Sequence, residues 1–508
     1  MITLVQIASA IGLLCLAGIF YLVYILAIAP IFSPLNALPG PPPTSIFGGN
    51  AEELSVFSWN DKNPFPGIQY KWFQQYGPVY HCRLLGMHQL IISDPDAVKY
   101  FMVTNAKNYP RSKLSTAYVA SFTAGDGLLG TEDPLHTSQR KLFNPHFSHF
   151  KIREFVNIFK QKADKLAQNL QTAANASSVV NVSKMMASTS FDIIGLTAFG
   201  YEFDTLGGSS KDVFTAFEYL AFVPNHFIAI GIMCIPGFER LPLPELKRRR
   251  EAKKILYKVV DDVISQKLAA PAIEARDILD LMLENESGVK MTPDEARTHV
   301  LTFLIAGHET TSSVLSSICY VLAIYPEVEK KVIDELTNIK DINWENLSEL
   351  KYLNAVIYET IRLHPPLFYS SLRNCLEGDF LPVVDGKPIF VPKGTQLGTI
   401  QTIHHRNPQY WIRPDEFLPE RFIDGSELNL ADANLRQGRP LTYIYIPFSI
   451  GPNQCIGNRF AFVEMQIILA TILAKFSFKL HASADTNPEL QGLTIKRKNL
   501  AMTIHTHS

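Results

Sequence analysis

Hydrophobic positions along this 508-residue chain change character near residue 50. Residues 2–32 are almost wholly apolar, and no Asp, Glu, Lys or Arg precedes Glu52. A membrane-spanning helix needs about 20 apolar residues, and this run exceeds that. A cleaved signal peptide would need a basic start and an apolar stretch of only about 7–15 residues, and neither is present. Residues 1–33 therefore read as a retained transmembrane anchor. Leu38-Pro39-Gly40-Pro41-Pro42-Pro43 follows, and consecutive prolines stiffen the backbone and cannot continue a helix. Residues 34–49 read as a Pro/Gly-rich hinge, a stiff spacer holding the body off the bilayer. Neither flank of the anchor is charged, so the positive-inside rule gives no orientation.

Beyond the hinge the periodicities alternate. Residues 79–95 read as a β-hairpin broken at Gly86. Residues 152–172 carry apolar positions at helical spacing. Residues 214–236 are very apolar but too interrupted for a second span, which leaves protein core or a lipid-touching surface. Thr292-Pro293-Asp294-Glu295 is a capping box with proline at the first helical position. The apolar pattern then runs to Tyr325, before Pro326. That predicts one helix of about 32 residues, about 48 Å long, crossing the middle of the body. Residues 383–397 are strand-like around Asp385-Gly386, a hairpin signal. Residues 460–476 predict a further apolar helix. The class is mainly α with a small β region, and residues 50–508 read as one domain because no linker divides them.

Composition narrows the function. The 47 basic and 48 acidic residues leave a formal net charge of -1, which excludes a nucleic-acid binder that works by bulk charge. With 47% hydrophobic and 19% charged residues, global disorder is excluded as well. The six cysteines are scattered without a CxxC pair, which suits neither a disulfide scaffold nor a zinc ribbon and fits a reducing compartment.

Three constellations carry chemistry. The first is Ala306-Gly307-His308-Glu309-Thr310-Thr311-Ser312, in the middle of the long predicted helix. Glycine and threonines are mediocre helix formers, and an acid in an apolar helix is costly unless partnered. Small Ala306 and Gly307 would let a flat group lie against the helix. Thr310 can bond back within the helix and open its ladder, and Glu309 can relay protons. His308-Glu309 also begins the zinc-protease pattern HExxH, but Ser312 occupies the place of the second ligand. The second is Glu359-Thr360-Ile361-Arg362, whose acid and base share a helix face at i, i+3. Arg421 follows between apolar neighbours in Phe417-Leu418-Pro419-Glu420-Arg421-Phe422. The third is the ten-residue loop from Phe448 to Gly457, where Cys455 lies between Gly451 and Gly457 just before an apolar helix. A helix N-terminus and peptide N–H groups favour a thiolate, and a single Cys framed this way suits haem iron.

Together these motifs resemble the cytochrome P450 family of haem-thiolate monooxygenases, over residues 36–500. The resemblance implies a helical triangular prism with a small β region, and haem b with Cys455 as its axial thiolate ligand. Glu309 and Thr310 are similar to the family's acid–alcohol pair for proton delivery, and Ala306 lies beside the haem. Glu359, Arg362 and Arg421 are similar to its structural triad. His136, Arg140 and Arg373 resemble residues that hold the haem propionates, and Phe448, Gly451 and Gly457 frame the ligand loop. Asn453 departs from the pattern, standing where the family usually has a basic residue, and His136 stands where many relatives have Trp. Ala306 replaces a Glu that esterifies haem in one fatty-acid hydroxylase branch, so no covalent haem link is expected.

The reaction so implied splits O2, placing one oxygen atom in a substrate C–H bond and releasing the other as water. Electrons would come from NADPH through a separate NADPH-cytochrome P450 reductase, with cytochrome b5 as a further donor. The resemblance also implies a single-pass protein of the endoplasmic reticulum membrane with a cytosolic catalytic domain. A haem-thiolate isomerase or dehydratase acting on a lipid peroxide is a rival class, as is a non-catalytic haem sensor; neither needs the Glu309–Thr310 pair. Pocket walls are expected at residues 116–129, 214–236, 367–371 and 490–494. These are mostly apolar and imply a hydrophobic substrate such as a fatty acid, sterol or terpenoid.

Overall fold

The computed structural model describes residues 4–55, 58–221, 226–269, 277–283, 291–339, 341–384 and 386–507. Asp385 of the expected hairpin signal and residues 222–225 of the apolar stretch lie outside them. The chain is mainly helical with small sheets. Its apolar N-terminus is helical from Leu4 to Val23 and continues through tighter turns to Phe32. Ser9–Phe32 is long and apolar enough to cross a membrane.

The body groups into two compact, discontinuous units. The first comprises Met1–Ser112, Tyr369–Asn407 and Pro440–Asn453. Its four-stranded sheet has the order Val79–Leu84, Met87–Ile92, Gln396–Ile400, Tyr369–Asn374. The first pair is the predicted hairpin, in antiparallel register from Val79↔Ile92 to Leu84↔Met87. The second pairing is parallel and the third antiparallel. The hairpin expected over residues 383–397 is displaced: Asp379–Leu381 pairs with Ile389–Val391, and Gln396–Ile400 joins the four-stranded sheet instead. Leu90, Ile92, Phe101, Tyr109 and Leu397 are buried together against this sheet.

The hinge makes backbone contacts with the first hairpin. The Asn50 and Leu85 N–H groups donate to the Arg83 and Gly48 carbonyls, and the His81 N–H donates to the Pro39 carbonyl. His88 Nε2 lies 3.1 Å from the Pro30 carbonyl oxygen. Any side chain at Gly86 would clash with the Ile25 carbonyl. The segment after the anchor is therefore laid along the first hairpin rather than standing off from it.

The second unit comprises Lys113–Phe368, Pro408–Arg439 and Gln454–Ser508. Pro293–Ile324 is its central helix, opened by the expected capping box of Thr292 and Glu295. It packs most extensively on Val182–Phe199, while Asn458–Leu473 packs on His149–Asn175. A helix apolar on all sides is stable only where protein covers every face. Phe214, Phe217 and Leu220 from the 214–236 stretch are buried as core, while Ile230 and Ile235 are exposed.

A buried ion network braces this unit. Arg362 meets Glu359 twice, Nε–Oε2 at 2.6 Å and Nη2–Oε1 at 2.8 Å. Arg421 Nε donates to Glu359 Oε1 at 3.0 Å and Nη1 to Asp432 Oδ2 at 2.5 Å. The side chains of Glu359, Arg362, Arg421 and Asp432 are 0% exposed. The spare donors of Arg362 go to the Pro414 and Glu416 carbonyls. Both guanidiniums lie near the buried Trp411 ring, at 5.3 and 5.5 Å. The helix carrying Glu359 is thereby tied to the segment 408–439. Removing one member of such a pair leaves an uncompensated buried charge, at about 3–5 kcal/mol. Domain stabilities are about 5–15 kcal/mol, so Arg362→Ala should yield little folded protein. Asp432→Ala should lower the midpoint of thermal unfolding in the same direction.

Candidate active site

From residue 298 to 319 the central helix is buried at every position except Ala306, Gly307 and Thr310. These three form an accessible window on an otherwise sealed helix. Thr310 Oγ1 donates to the Ala306 carbonyl at 2.8 Å, as expected, yet the helix continues unbroken to Ile324. A Cβ at Gly307 would lie 2.9 Å from Ile194 Cδ1, so the missing side chain also seats the neighbouring helix. His308 is buried among the rings of Phe191, Phe214 and Phe217. Burial holds its pKa down to about 3, with the charge of Lys496 adding to the effect. It stays neutral and serves as core.

Glu309 is buried beside it and leans toward the hairpin Asp485–Gln491/Thr494–Asn499. Its Oε1 lies 3.7 Å from Lys496 Nζ. Burial raises its pKa, and the Lys496 charge opposes that rise.

Cys455 stands apart from the other described cysteines of the body. Cys82, Cys319 and Cys375 are buried, whereas Cys455 is exposed. Burial pushes the Cys82 and Cys319 thiols up to about 12. Dense protein around Cys455 also raises its thiol, while the Gly457 N–H and the Arg140 charge pull it down. The expected thiolate-favouring groups are present, but desolvation outweighs them in the protein alone. Arg140 reaches this loop directly, donating from Nη1 to the Gln454 carbonyl at 2.9 Å. His136, on the same helix Leu135–Phe143, is buried. Gly457 begins the helix Asn458–Leu473, and the nearest atom to a Cβ there is a Phe147 ring carbon at 3.8 Å.

The first unit holds the remaining residues of the resemblance. Gly451 adopts φ 74°, and any side chain there would strike the Met102 carbonyl, so only glycine fits. Ser449 adopts φ 59° beside the half-buried Phe448. Arg373 is buried, and its Nη1 donates to Asn453 Oδ1 at 2.7 Å. Asn453, where a basic residue was expected, thus accepts from Arg373.

Two expected pocket walls touch the central helix. Side chains at Gly125 and Gly127 would press on Thr298 and Thr302, and one at Gly492 would reach Glu309 Oε2 at 3.5 Å. Sequence reasoning missed Lys496, Asp432 and the Arg373–Asn453 bond. A lysine inside a strand pattern next to an apolar turn was the only signal for the first.

Each unit carries residues that fit a haem: an accessible thiol and a small-residue window in one, a buried guanidinium held by an amide in the other. Comparison with known proteins agrees. The chain matches the Cytochrome P450 family over residues 39–504. It is 30% identical over 458 residues to cytochrome P450 3A7 of Homo sapiens, covering 87% of this chain and 85% of that protein. It is 27% identical over 467 residues to cytochrome P450 4d2 of Drosophila melanogaster, covering 86% and 88%. Carotene epsilon-monooxygenase, chloroplastic, of Arabidopsis thaliana is 29% identical over 440 residues, covering 81% and 76%. Fold, motifs and matched length converge, and the chain belongs to the cytochrome P450 family of haem-thiolate monooxygenases.

Proposed function

We propose that this protein hydroxylates a hydrophobic substrate, a fatty acid, sterol or terpenoid, with haem b held through Cys455. The window at Ala306, Gly307 and Thr310 carries the reading, because a helix buried elsewhere keeps one strip accessible and puts a hydroxyl on it. Haem, when bound, supplies cleavage of O2 and transfer of one oxygen atom to a C–H bond. Electrons come from NADPH through NADPH-cytochrome P450 reductase, with cytochrome b5 as a second donor.

The chain's own residues do the rest. Cys455 offers the thiol, with the Gly457 N–H and Arg140 favouring its ionised form. Arg373, His136 and Arg140 hold the propionates, and Phe448 and Gly451 shape the loop. Thr310 keeps a proton on Oγ1, parked at the Ala306 carbonyl, and donates it when the hydroxyl turns away. Glu309 replenishes that proton. Glu359, Arg362 and Arg421 brace the fold and take no part in the chemistry. Ser9–Phe32 anchors the protein in the endoplasmic reticulum membrane, with residues 50–508 in the cytosol, where NADPH and reduced thiols are found.

Cys455→Ala should abolish the long-wavelength Soret band of the reduced carbon monoxide complex, while Cys319→Ala and Cys375→Ala keep it. Thr310→Ala should keep that band but divert electrons to peroxide, measured as product per NADPH consumed. Loss of a positioned proton donor costs ~10²–10⁴-fold, and water recovers part of this, so the fall should lie near the lower figure. The orientation is checked by glycosylation. Asn175, Asn181, Asn285 and Asn346 all sit in acceptor sequences, and Asn175 is exposed at a helix end, while Asn285 lies outside the described residues. The full-length protein from a eukaryotic host should show no endoglycosidase-sensitive mass shift.

A further inference from the structure

Two of the expected pocket walls, residues 116–129 and 214–236, are fastened to one buried arginine. Arg249, on the helix Pro244–Ala269, is 3% exposed. A guanidinium carries five donors in a rigid fork, and here they spread over three other elements. Nε donates to Glu239 Oε1 at 3.2 Å, on the turn Phe238–Arg240. Nη1 donates to the Leu220 carbonyl at 2.9 Å, on Lys211–Ala221. Nη2 donates to Ser121 Oγ at 3.2 Å, on Lys113–Thr123. Further along the arginine's own helix, the Tyr257 hydroxyl donates to the Phe122 carbonyl at 2.9 Å. The Phe122 ring meets Phe217 edge to face at 5.4 Å. Glu239 has a second cation on the same helix, with Lys253 Nζ 2.6 Å from Oε2.

The helix held at Ser121 and Phe122 ends in a strained turn. Ala124 is exposed and adopts φ 62°. A residue with a side chain is strained in the left-handed region and persists there only where its surroundings hold it. Thr123 Oγ1 donates across this turn to the Gly125 carbonyl at 2.6 Å. Gly125 and Gly127 then lie against Thr298 and Thr302, two turns and one turn before Ala306 on the central helix. The segment is thus pinned to the central helix after Ala124 and clamped by Arg249 and Tyr257 just before it.

We propose that Arg249 is the latch of a lid. The helix Lys113–Thr123 swings about the turn at Ala124, and the bonds from Arg249 to Ser121 and from Tyr257 to Phe122 hold it shut. Opening releases those two bonds and lets Ala124 relax, while Glu239 and Leu220 keep the guanidinium seated. A hydrophobic ligand reaches the window at Ala306, Gly307 and Thr310 through the open form. This rests on the reading of residues 116–129 and 214–236 as pocket walls.

The test uses the full-length, haem-loaded protein in bilayer discs. One readout is amide hydrogen exchange over residues 113–123. The other is stopped-flow binding of clotrimazole, a bulky aryl imidazole, followed by its shift of the Soret band. Ser121→Ala removes one acceptor, and a hydrogen bond to a charged group is worth roughly tenfold or more in an equilibrium constant. Exchange over 113–123 should therefore quicken by about tenfold. Clotrimazole association and dissociation should rise together by about the same factor, with their ratio unchanged, because the latch shifts a population and touches no ligand. Ser121→Thr keeps the hydroxyl and should restore all three rates. Ala124→Gly removes strain at an exposed position and should slow them, since glycine adopts positive φ freely. The carbon monoxide band and the thermal midpoint should be retained throughout. Unmoved exchange in Ser121→Ala overturns the proposal, as does faster exchange in Ala124→Gly or a rise in dissociation alone, the mark of a lost ligand contact. The pocket-wall reading fails separately, if exchange responds as expected while clotrimazole binds at unchanged rates.

Discussion

Burial of the middle of the central helix, residues 298–319, governs the rest of the molecule. A polar group inside it must find its partner within the protein or lose its charge. Thr298, Thr302 and Ser316 turn their hydroxyls back onto the carbonyls one turn earlier. His299 and His308 are held neutral, with pKa values near 4 and 3, by desolvation. Against that background an accessible hydroxyl at Thr310 and a buried carboxyl at Glu309 are exceptions, and they are adjacent in sequence.

The two buried acids show how one problem is solved in two ways. Glu359 is saturated: both oxygens accept from arginines, and Oε1 also takes the Leu418 N–H. Such a group serves the fold. Glu309 has a cation 3.7 Å from Oε1 and the Leu493 backbone N–H as its partners. Burial raises its pKa and the Lys496 charge opposes the rise. Both are acids on apolar helices in the sequence; only the number and distance of their partners separates them.

Much of this was readable along the chain because it is local. The capping box, the length of the central helix, the hairpin at Gly86 and the framing of Cys455 depend on residues a few positions apart. What escaped is long-range. Asp432 and Trp411 complete the ion network from a segment without a pattern of its own. Gly307 looked like room for a ligand, and the neighbour it also seats, Ile194, comes from a helix more than 100 positions earlier. The proline-rich hinge read as a stiff spacer, and its backbone partners at His81 and Leu85 belong to a hairpin that periodicity reports only as a hairpin.

The strand order of the first unit has a consequence for how the chain is made. Its sheet places Met87–Ile92 beside Gln396–Ile400, with Tyr369–Asn374 at the edge. About 280 residues separate Ile92 from Tyr369, roughly 14–56 s of synthesis at ~5–20 residues per second. Through that interval the first hairpin stands without half of its sheet, exposing an unpaired strand edge beside an anchor that has already left the ribosome. Residues 113–368 can collapse in the meantime around the central helix. A nascent chain of this protein is therefore most vulnerable to aggregation and to chaperone capture at its beginning, and that risk ends only when the strands of residues 369–400 arrive.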